Sequence, residues 1–268
     1  MKTYYLAILF FLAQNVFSQE LFVVTDPASN IPTNTLSVRL FNSLFEEVAT
    51  GDYNYQLMPE VTYGLNKNFM FRGTAFISNR NNELVAEGGS FYSKYRFYSS
   101  DDLNSHFRLA AYGRYSFNNT NIHQEQIEIM GQNSGYEGGL IATKLIHKIA
   151  ISSSLSFEKA LDNGKNIPFP NALGNSATNY TLSVGKLMYP KIYTSFKQTN
   201  INLMLELVGQ TINENGKSYL DIVPAIQFII NSQARIDLAY RHEIMSSMLR
   251  SAHNGVYLNF EYNFYNVF

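Results

Sequence analysis

Cysteine is absent from the chain, which excludes both a disulfide framework and a lipid-modified cysteine anchor. Neither sign of charge is in excess: 20 Lys and Arg stand against 21 Asp and Glu, for a formal net charge of −1. A chain so balanced lacks the basic surplus that draws proteins to nucleic acid. Beyond the N-terminus, no apolar run approaches the roughly 20 residues that a membrane-spanning helix needs. Tryptophan is also absent, whereas tyrosine and phenylalanine number 19 and 20.

What is present begins with a short leader. Lys2 supplies a positive start, residues 4–12 form an apolar run, and the small Val16 and Ser18 flank a cut ahead of Gln19. This is the layout of a cleavable signal peptide over residues 1–18, and its apolar run is too short to serve as an anchor.

The other end of the chain alternates. Val256, Leu258, Phe260, Tyr262 and Phe264 are apolar or aromatic, and the interleaved Tyr257, Asn259, Glu261, Asn263 and Tyr265 are polar or amphipathic. A strand converts this period-two spacing into one apolar face and one wetted face. Ending at Phe268, the segment resembles the closing strand of a bacterial outer-membrane barrel, although Asn266 stands where an apolar residue is usual. The resemblance implies that the barrel-assembly machinery is a partner, engaged through Phe268.

The same period recurs along the chain. About twelve strands are expected, over residues 35–46, 54–65, 69–79, 84–98, 107–117, 134–147, 149–158, 177–189, 199–212, 218–230, 234–247 and 255–267. Their lipid-facing sets include Tyr55, Leu57, Val61 and Tyr63; Ile149, Ile151, Leu155 and Phe157; Ile201, Leu203, Leu205 and Leu207; and Leu220, Ile222, Ile226 and Phe228. Residues 136–147 alternate poorly. One class of connection is short, at 66–68, 147–148 and 231–233, with 99–106 and 190–198 somewhat longer. The other includes two long polar stretches, 118–134 and 159–176. Such sorting separates periplasmic turns from extracellular loops, and an even strand count puts both termini on the periplasmic side. A soluble β-sandwich would alternate too, but needs neither the terminal Phe nor sorted connections. The expectation is an all-β fold: a transmembrane antiparallel up-and-down β-barrel over residues 35–268, in the outer membrane of a Gram-negative bacterium and in contact with its lipid. Without tryptophan, its interfacial girdles must be built from Tyr and Phe.

Residues 57–66 align without gaps on residues 222–231, each a proline-containing strand leading into a turn. Proline removes a ladder donor, so a bulge or bend is expected at Pro59 and Pro224. Leu57-Met58-Pro59-Glu60-Val61-Thr62-Tyr63-Gly64-Leu65 resembles the Leu-x-Pro-Glu-x-x-Tyr-Gly-Leu signature of the barrels grouped as "MetA-pathway of phenol degradation" proteins. Val223-Pro224-Ala225-Ile226 is similar to a later strand in them. The resemblance covers two hairpins, implies an outer-membrane channel and identifies no catalytic residue.

If the apolar face meets lipid, the other face lines the lumen. The candidates there are Arg39, Glu60, Arg72, Lys94, Arg96, Arg108, Arg114, Lys144, Glu158, Glu206, Asp221, Arg235, Asp237, Arg241, Glu243 and Glu261. Cations crowd the third to sixth strands and anions the ninth to twelfth, so closure would oppose a cationic and an anionic wall. Twelve strands about 4.8 Å apart and tilted about 40° give a backbone radius of roughly 12 Å, which long side chains nearly span. The lumen is then either a narrow pore crossed by a transverse field or a charge-paired, barely permeable interior. Residues 19–34, with Pro27, Pro32 and an apolar run at 21–24, either plug the periplasmic mouth or hang as a mobile tail.

No enzymatic site is expected. His253-Asn254-Gly255 resembles the His portion of twelve-strand outer-membrane phospholipases, yet the closing strand that follows holds no Ser nucleophile. His242, Met245, Met248 and His253 have the ligand types that suit soft copper. Their simpler reading is flexible apolar filler and hydrated rim residues. No cofactor is implied. The leading functional expectation is a narrow passive channel for small solutes. A sealed structural or partner-binding barrel using loops 118–133 and 159–176, or one taking up hydrophobic compounds, are the alternatives.

Overall fold

The computed structural model describes residues 22–46, 53–80, 83–102, 105–192, 195, 197–251 and 253–267. The expected signal peptide at 1–18 and the terminal Phe268 lie outside the described residues. Twelve strands follow one another: β1 (Thr35–Glu46), β2 (Tyr53–Gly64), β3 (Phe69–Ser78), β4 (Val85–Asp102), β5 (Ser105–Asn118), β6 (Ser134–Ile146), β7 (Ile149–Leu161), β8 (Ser176–Tyr189), β9 (Asn200–Ile212), β10 (Ser218–Ile230), β11 (Ala234–Ser246) and β12 (Gly255–Phe264). Each expected strand is found. The stretch 99–106 belongs mostly to β4 and β5, whose pairing runs out to Asp102↔Ser105.

Sequence neighbours are barrel neighbours throughout, and β12 closes on β1 from Leu36↔Phe264 to Phe45↔Gly255. Closure removes the sheet edge, whose unpaired N–H and C=O groups hydrocarbon could not satisfy. Alternation then sorts the side chains. On β7, Leu155 is 60% exposed whereas its neighbour Ser156 is 5% exposed. On β9, Leu203 and Leu205 face outward while Met204 and Glu206 are buried. Outward aromatic rings gather at both ends, with Phe69, Tyr95, Tyr262 and Phe264 near the termini and Tyr115, Phe117, Tyr136 and Phe157 at the opposite rim. These rings stand where girdles belong.

No register shift falls at either proline, so the bulge named as one of two possibilities is not found there. Against β1 the register runs regularly through Leu40↔Pro59, and against β9 through Pro224↔Leu205. On the other side, pairing is interrupted at Met58 and Pro59 opposite β3, and at Val223 and Pro224 opposite β11, with the same register on both sides of the gap. In an antiparallel ladder a residue directs its N–H and C=O to one neighbour only. A proline therefore disturbs one seam and spares the other. The nearest register shifts lie elsewhere, between Phe76/Ile77 on β3 and between Leu220/Asp221 on β10.

Candidate functional site

The lumen is polar and charged, and strand register decides which charges meet. Arg39 lies opposite Glu60, Arg114 opposite Glu137 and Arg235 opposite Glu261. Their ion-pair distances are 3.4, 3.1 and 2.9 Å. Arg235 also reaches Asp237 at 3.1 Å, and Arg241 reaches Asp221 at 2.6 Å. The anions of β10–β12 are thus neutralised by arginines beside them rather than left facing a distant cationic wall. Cross-strand neighbours stand about 5 Å apart, far closer than the opposite side of the barrel.

Several of the remaining cations hold residues 22–34, which lie inside the barrel at the end that carries the termini. Arg72 grips Asp26 with two nitrogens, each 3.1 Å from a carboxylate oxygen. Lys94 Nζ donates to the carbonyls of Pro27 and Ser29 at 2.7 and 2.8 Å. Arg39 donates to the Val23 carbonyl at 2.7 Å, and Arg108 to the Ser29 hydroxyl at 2.8 Å. From β9, across the ring from β3, Glu206 accepts the N–H groups of Val23 and Thr25, both at 2.8 Å, and from β6 Thr143 accepts that of Ala28 at 2.8 Å. Burial by itself would raise the Asp26 carboxyl, but Arg72, with Lys94 and Arg114 behind it, holds it well below the usual carboxylate range. The chain leaves the barrel beside Gly64, where a Cβ would meet the Pro32 carbonyl oxygen at 2.2 Å.

The opposite mouth is filled by loop 119–133, which folds inward. Gln210 on β9 brackets Ile127, accepting its N–H at 3.0 Å and donating to its carbonyl at 2.7 Å. Ile127 and Ile129 are buried against Ile212, Tyr219 and Met248. Gly131 takes a φ of 120° and passes so near Gln56 that a Cβ would lie 2.0 Å from Nε2. Residues 247–251 join this roof. Arg250 stacks 3.7 Å from the Tyr219 ring centroid, donates to Gln126 at 2.9 Å and pairs with Asp221 at 2.5 Å. The expectation that loop 118–133 is an external recognition surface is therefore corrected, since most of the loop is interior. Loop 162–175 is the more exposed one.

Between floor and roof lies a chamber of about 180 Å³. Its two sides differ. From β12, β1 and β2 come Tyr257, Phe41, Phe45 and Met58; from β6 to β9 come Glu137, Ser156, Glu158, Asn179, Thr181 and Gln210. In a twelve-strand ring in sequence order, β1 stands across from β7. The chamber is lined mainly by aromatic and apolar side chains on one side, where Ser43, Gln56 and the Arg241 guanidinium also reach it, and is rich in hydroxyls, amides and carboxylates on the other.

Most of the expected lumen residues are inward and buried, including Arg39, Glu60, Lys94, Arg108, Glu206, Asp221, Arg235, Asp237 and Arg241. Arg72, Arg114 and Glu261 are inward ion-pair partners, and Glu243 sits near the roof, paired with Arg250 at 2.9 Å. Arg96 is half-buried at the rim near the termini, beside the register shift of β4 on β5. Lys144 is misassigned. It lies opposite Ile151 and shares the outward face of β6 with Leu140 and Ile146, while Ile141, Thr143 and Leu145 take the inward positions. Near a strand end its long stem can cover apolar surface and carry the ammonium to the interface.

His242, Met245, Met248 and His253 do not converge. His242 is exposed and bonded to Asn254, Met245 is exposed, and Met248 is buried with Ile127 and Tyr219. His253 pairs with Glu243 at 2.5 Å. Sequence reasoning missed Asp26, Gln210 and Arg250, each of which has a partner more than 25 positions away. Only burial inside the barrel reveals them.

No family model matches the chain, and no curated relative matches it by sequence. Among solved structures, the COG4313 outer membrane channel from Pseudomonas putida F1 is similar with a TM-score of 0.56 at 11% identity, over 90% of this chain and 100% of that one. The fold is that of an outer-membrane β-barrel. KdgM porin is matched with a TM-score of 0.47 at 10% identity, over 85% of this chain and 99% of that one.

Proposed function

We propose that the protein is an outer-membrane channel for small polar solutes, held shut by its own residues 22–34. The observation that carries this reading is where the interior charges go. Arg72, Lys94 and Glu206 are satisfied by a segment that is no part of the wall. A barrel serving only as a scaffold could pair these charges wall to wall, or replace them with apolar packing at no loss of stability. Withdrawing the segment uncovers a ring of charged and polar groups able to line a water-filled path. The outward apolar belt and the aromatic rings at both rims support residence in the outer membrane of a Gram-negative bacterium. The resemblance of residues 57–65 to the phenol-degradation barrels supports a channel as well, but the polar interior disfavours passage of hydrophobic compounds.

Planar-bilayer recordings of the mature chain and of a variant lacking residues 22–30 test the proposal. Brief, infrequent openings are expected from the former and sustained conductance from the latter. Silence from both would reject the channel in favour of a closed structural barrel.

A further inference from the structure

One row of side chains crosses four strands on the chamber wall. Register sets Tyr92 on β4 opposite Arg114 on β5, Arg114 opposite Glu137 on β6, and Glu137 opposite Glu158 on β7. Both glutamates are buried, at 8% and 6% exposure, and both line the chamber. Like charges directly opposite in a sheet repel, and only one guanidinium serves the two. Arg114 lies 3.1 Å from Glu137, whose other oxygen accepts from Tyr112 at 2.5 Å and Ser156 at 2.9 Å. Glu158 accepts from the neutral Gln210 amide at 3.2 Å and has no ion pair among the described residues. At the other end of the row, the Tyr92 hydroxyl is buried without a hydrogen-bond partner, on a side chain that is 3% exposed and borders the same chamber.

We infer that the chamber is a binding site for a small organic ammonium ion with an apolar body. The carboxylate of Glu158 receives the N–H donors of the ammonium group, completing the charge balance that Arg114 leaves unfinished. Charge-assisted bonds of this kind are stronger than neutral ones. The body lies across the chamber against Phe41, Phe45, Met58 and Tyr257, where apolar surface is removed from water. A cavity of about 180 Å³ is below the roughly 300–1,000 Å³ of drug-sized pockets, so the ligand is a small amine. An inorganic ion is disfavoured, because among the described residues no group of three His, Cys, Asp or Glu side chains is placed to share one. The site does not require that the barrel conduct: binding is read in detergent and conduction in bilayers, so the two readings fail separately.

The test is calorimetric titration of the detergent-solubilised chain with phenethylammonium, its neutral isostere phenylethanol, and phenylacetate. The ammonium is expected to bind about tenfold or more tightly than the alcohol, with the anion weakest. Glu158→Gln should bring the ammonium down to the level of the alcohol. Equal affinity for ammonium and alcohol in the wild type overturns the inference, as does a preference that survives Glu158→Gln, the result expected if the two glutamates merely share a proton. No binding by protein refolded with the probe present overturns it too, because access to a closed chamber is then not the obstacle. Should Glu158→Gln fail to fold, the wild-type comparison of the three probes decides alone.

Discussion

The carboxylate of Glu206 accepts the backbone N–H of Val23 at 2.8 Å, joining residues 183 positions apart. The same side chain takes the N–H of Thr25 at 2.8 Å and that of Val24 at 3.3 Å. One fully buried carboxylate on β9 thus fixes the entry of the N-terminal segment through its main chain. Replacing Glu206 with alanine leaves these donors buried and unmet, at a cost of about 1–3 kcal/mol for each unsatisfied group. The expected outcome is rapid hydrogen exchange and proteolytic cutting within residues 22–30 in a barrel that still folds. Unchanged protection of the segment would show that the cationic side alone holds it.

Acid should not release the segment until the pH is very low. Asp26, gripped by Arg72, titrates well below the ordinary carboxylate range. Its contribution is complete above the unfolded value of about 3.9 and is lost only as the pH falls through the lower folded value. Protection of residues 22–30, corrected for the pH dependence of intrinsic amide exchange, is therefore expected to match at pH 7 and pH 5. A tenfold loss of protection across that interval would contradict the role given to Asp26. Asp26→Asn should weaken docking at every pH in the range, because it strips a buried guanidinium of its partner.

Gln210 is the corresponding clamp on the roof. Its amide satisfies both the N–H and the carbonyl of Ile127, so Gln210→Ala leaves two buried groups unpaired, at about 1–3 kcal/mol each. Loop 119–133 is expected to gain exchange and protease sensitivity while residues 22–34 remain protected. Loss of protection at both ends together would mean that floor and roof open as one unit.

The partition between lipid and lumen was legible in the sequence wherever one strand alternates cleanly. Residues 201–207 and 256–264 assign their own faces, because period two and two solvents leave no other arrangement. β6 was not legible. Gly138 and Gly139 carry no face information, and the assignment of Lys144 inward follows from a count that they make ambiguous. The inward fold of loop 119–133 was also hidden, since a polar stretch rich in Asn and Gln reads as solvated when its partners at Gln210 and Arg250 are unknown. The arginine–carboxylate pairs depend on register between strands, which composition along one strand does not reveal.

The faces can be tested energetically. Leu155, outward on β7, is expected to lose about 2–4 kcal/mol of stability in lipid vesicles as Leu155→Arg if it lies near the bilayer midplane, whereas changes at the interfacial Lys144 should stay within about 1 kcal/mol. Equilibrium unfolding in urea with the barrel embedded in vesicles measures both. Equal effects at the two positions would place the bilayer differently on this barrel.

The most direct measurement exploits the absence of native cysteine. Thr25 and Ser183 place their side-chain oxygens 2.8 Å apart, one on the N-terminal segment and one on the β8 wall. With both changed to cysteine, oxidation staples the segment in the lumen and reduction frees it. In planar bilayers the stapled barrel is expected to be silent, and addition of reductant to restore the openings of the parent. A stapled barrel that conducts like the parent would contradict the account.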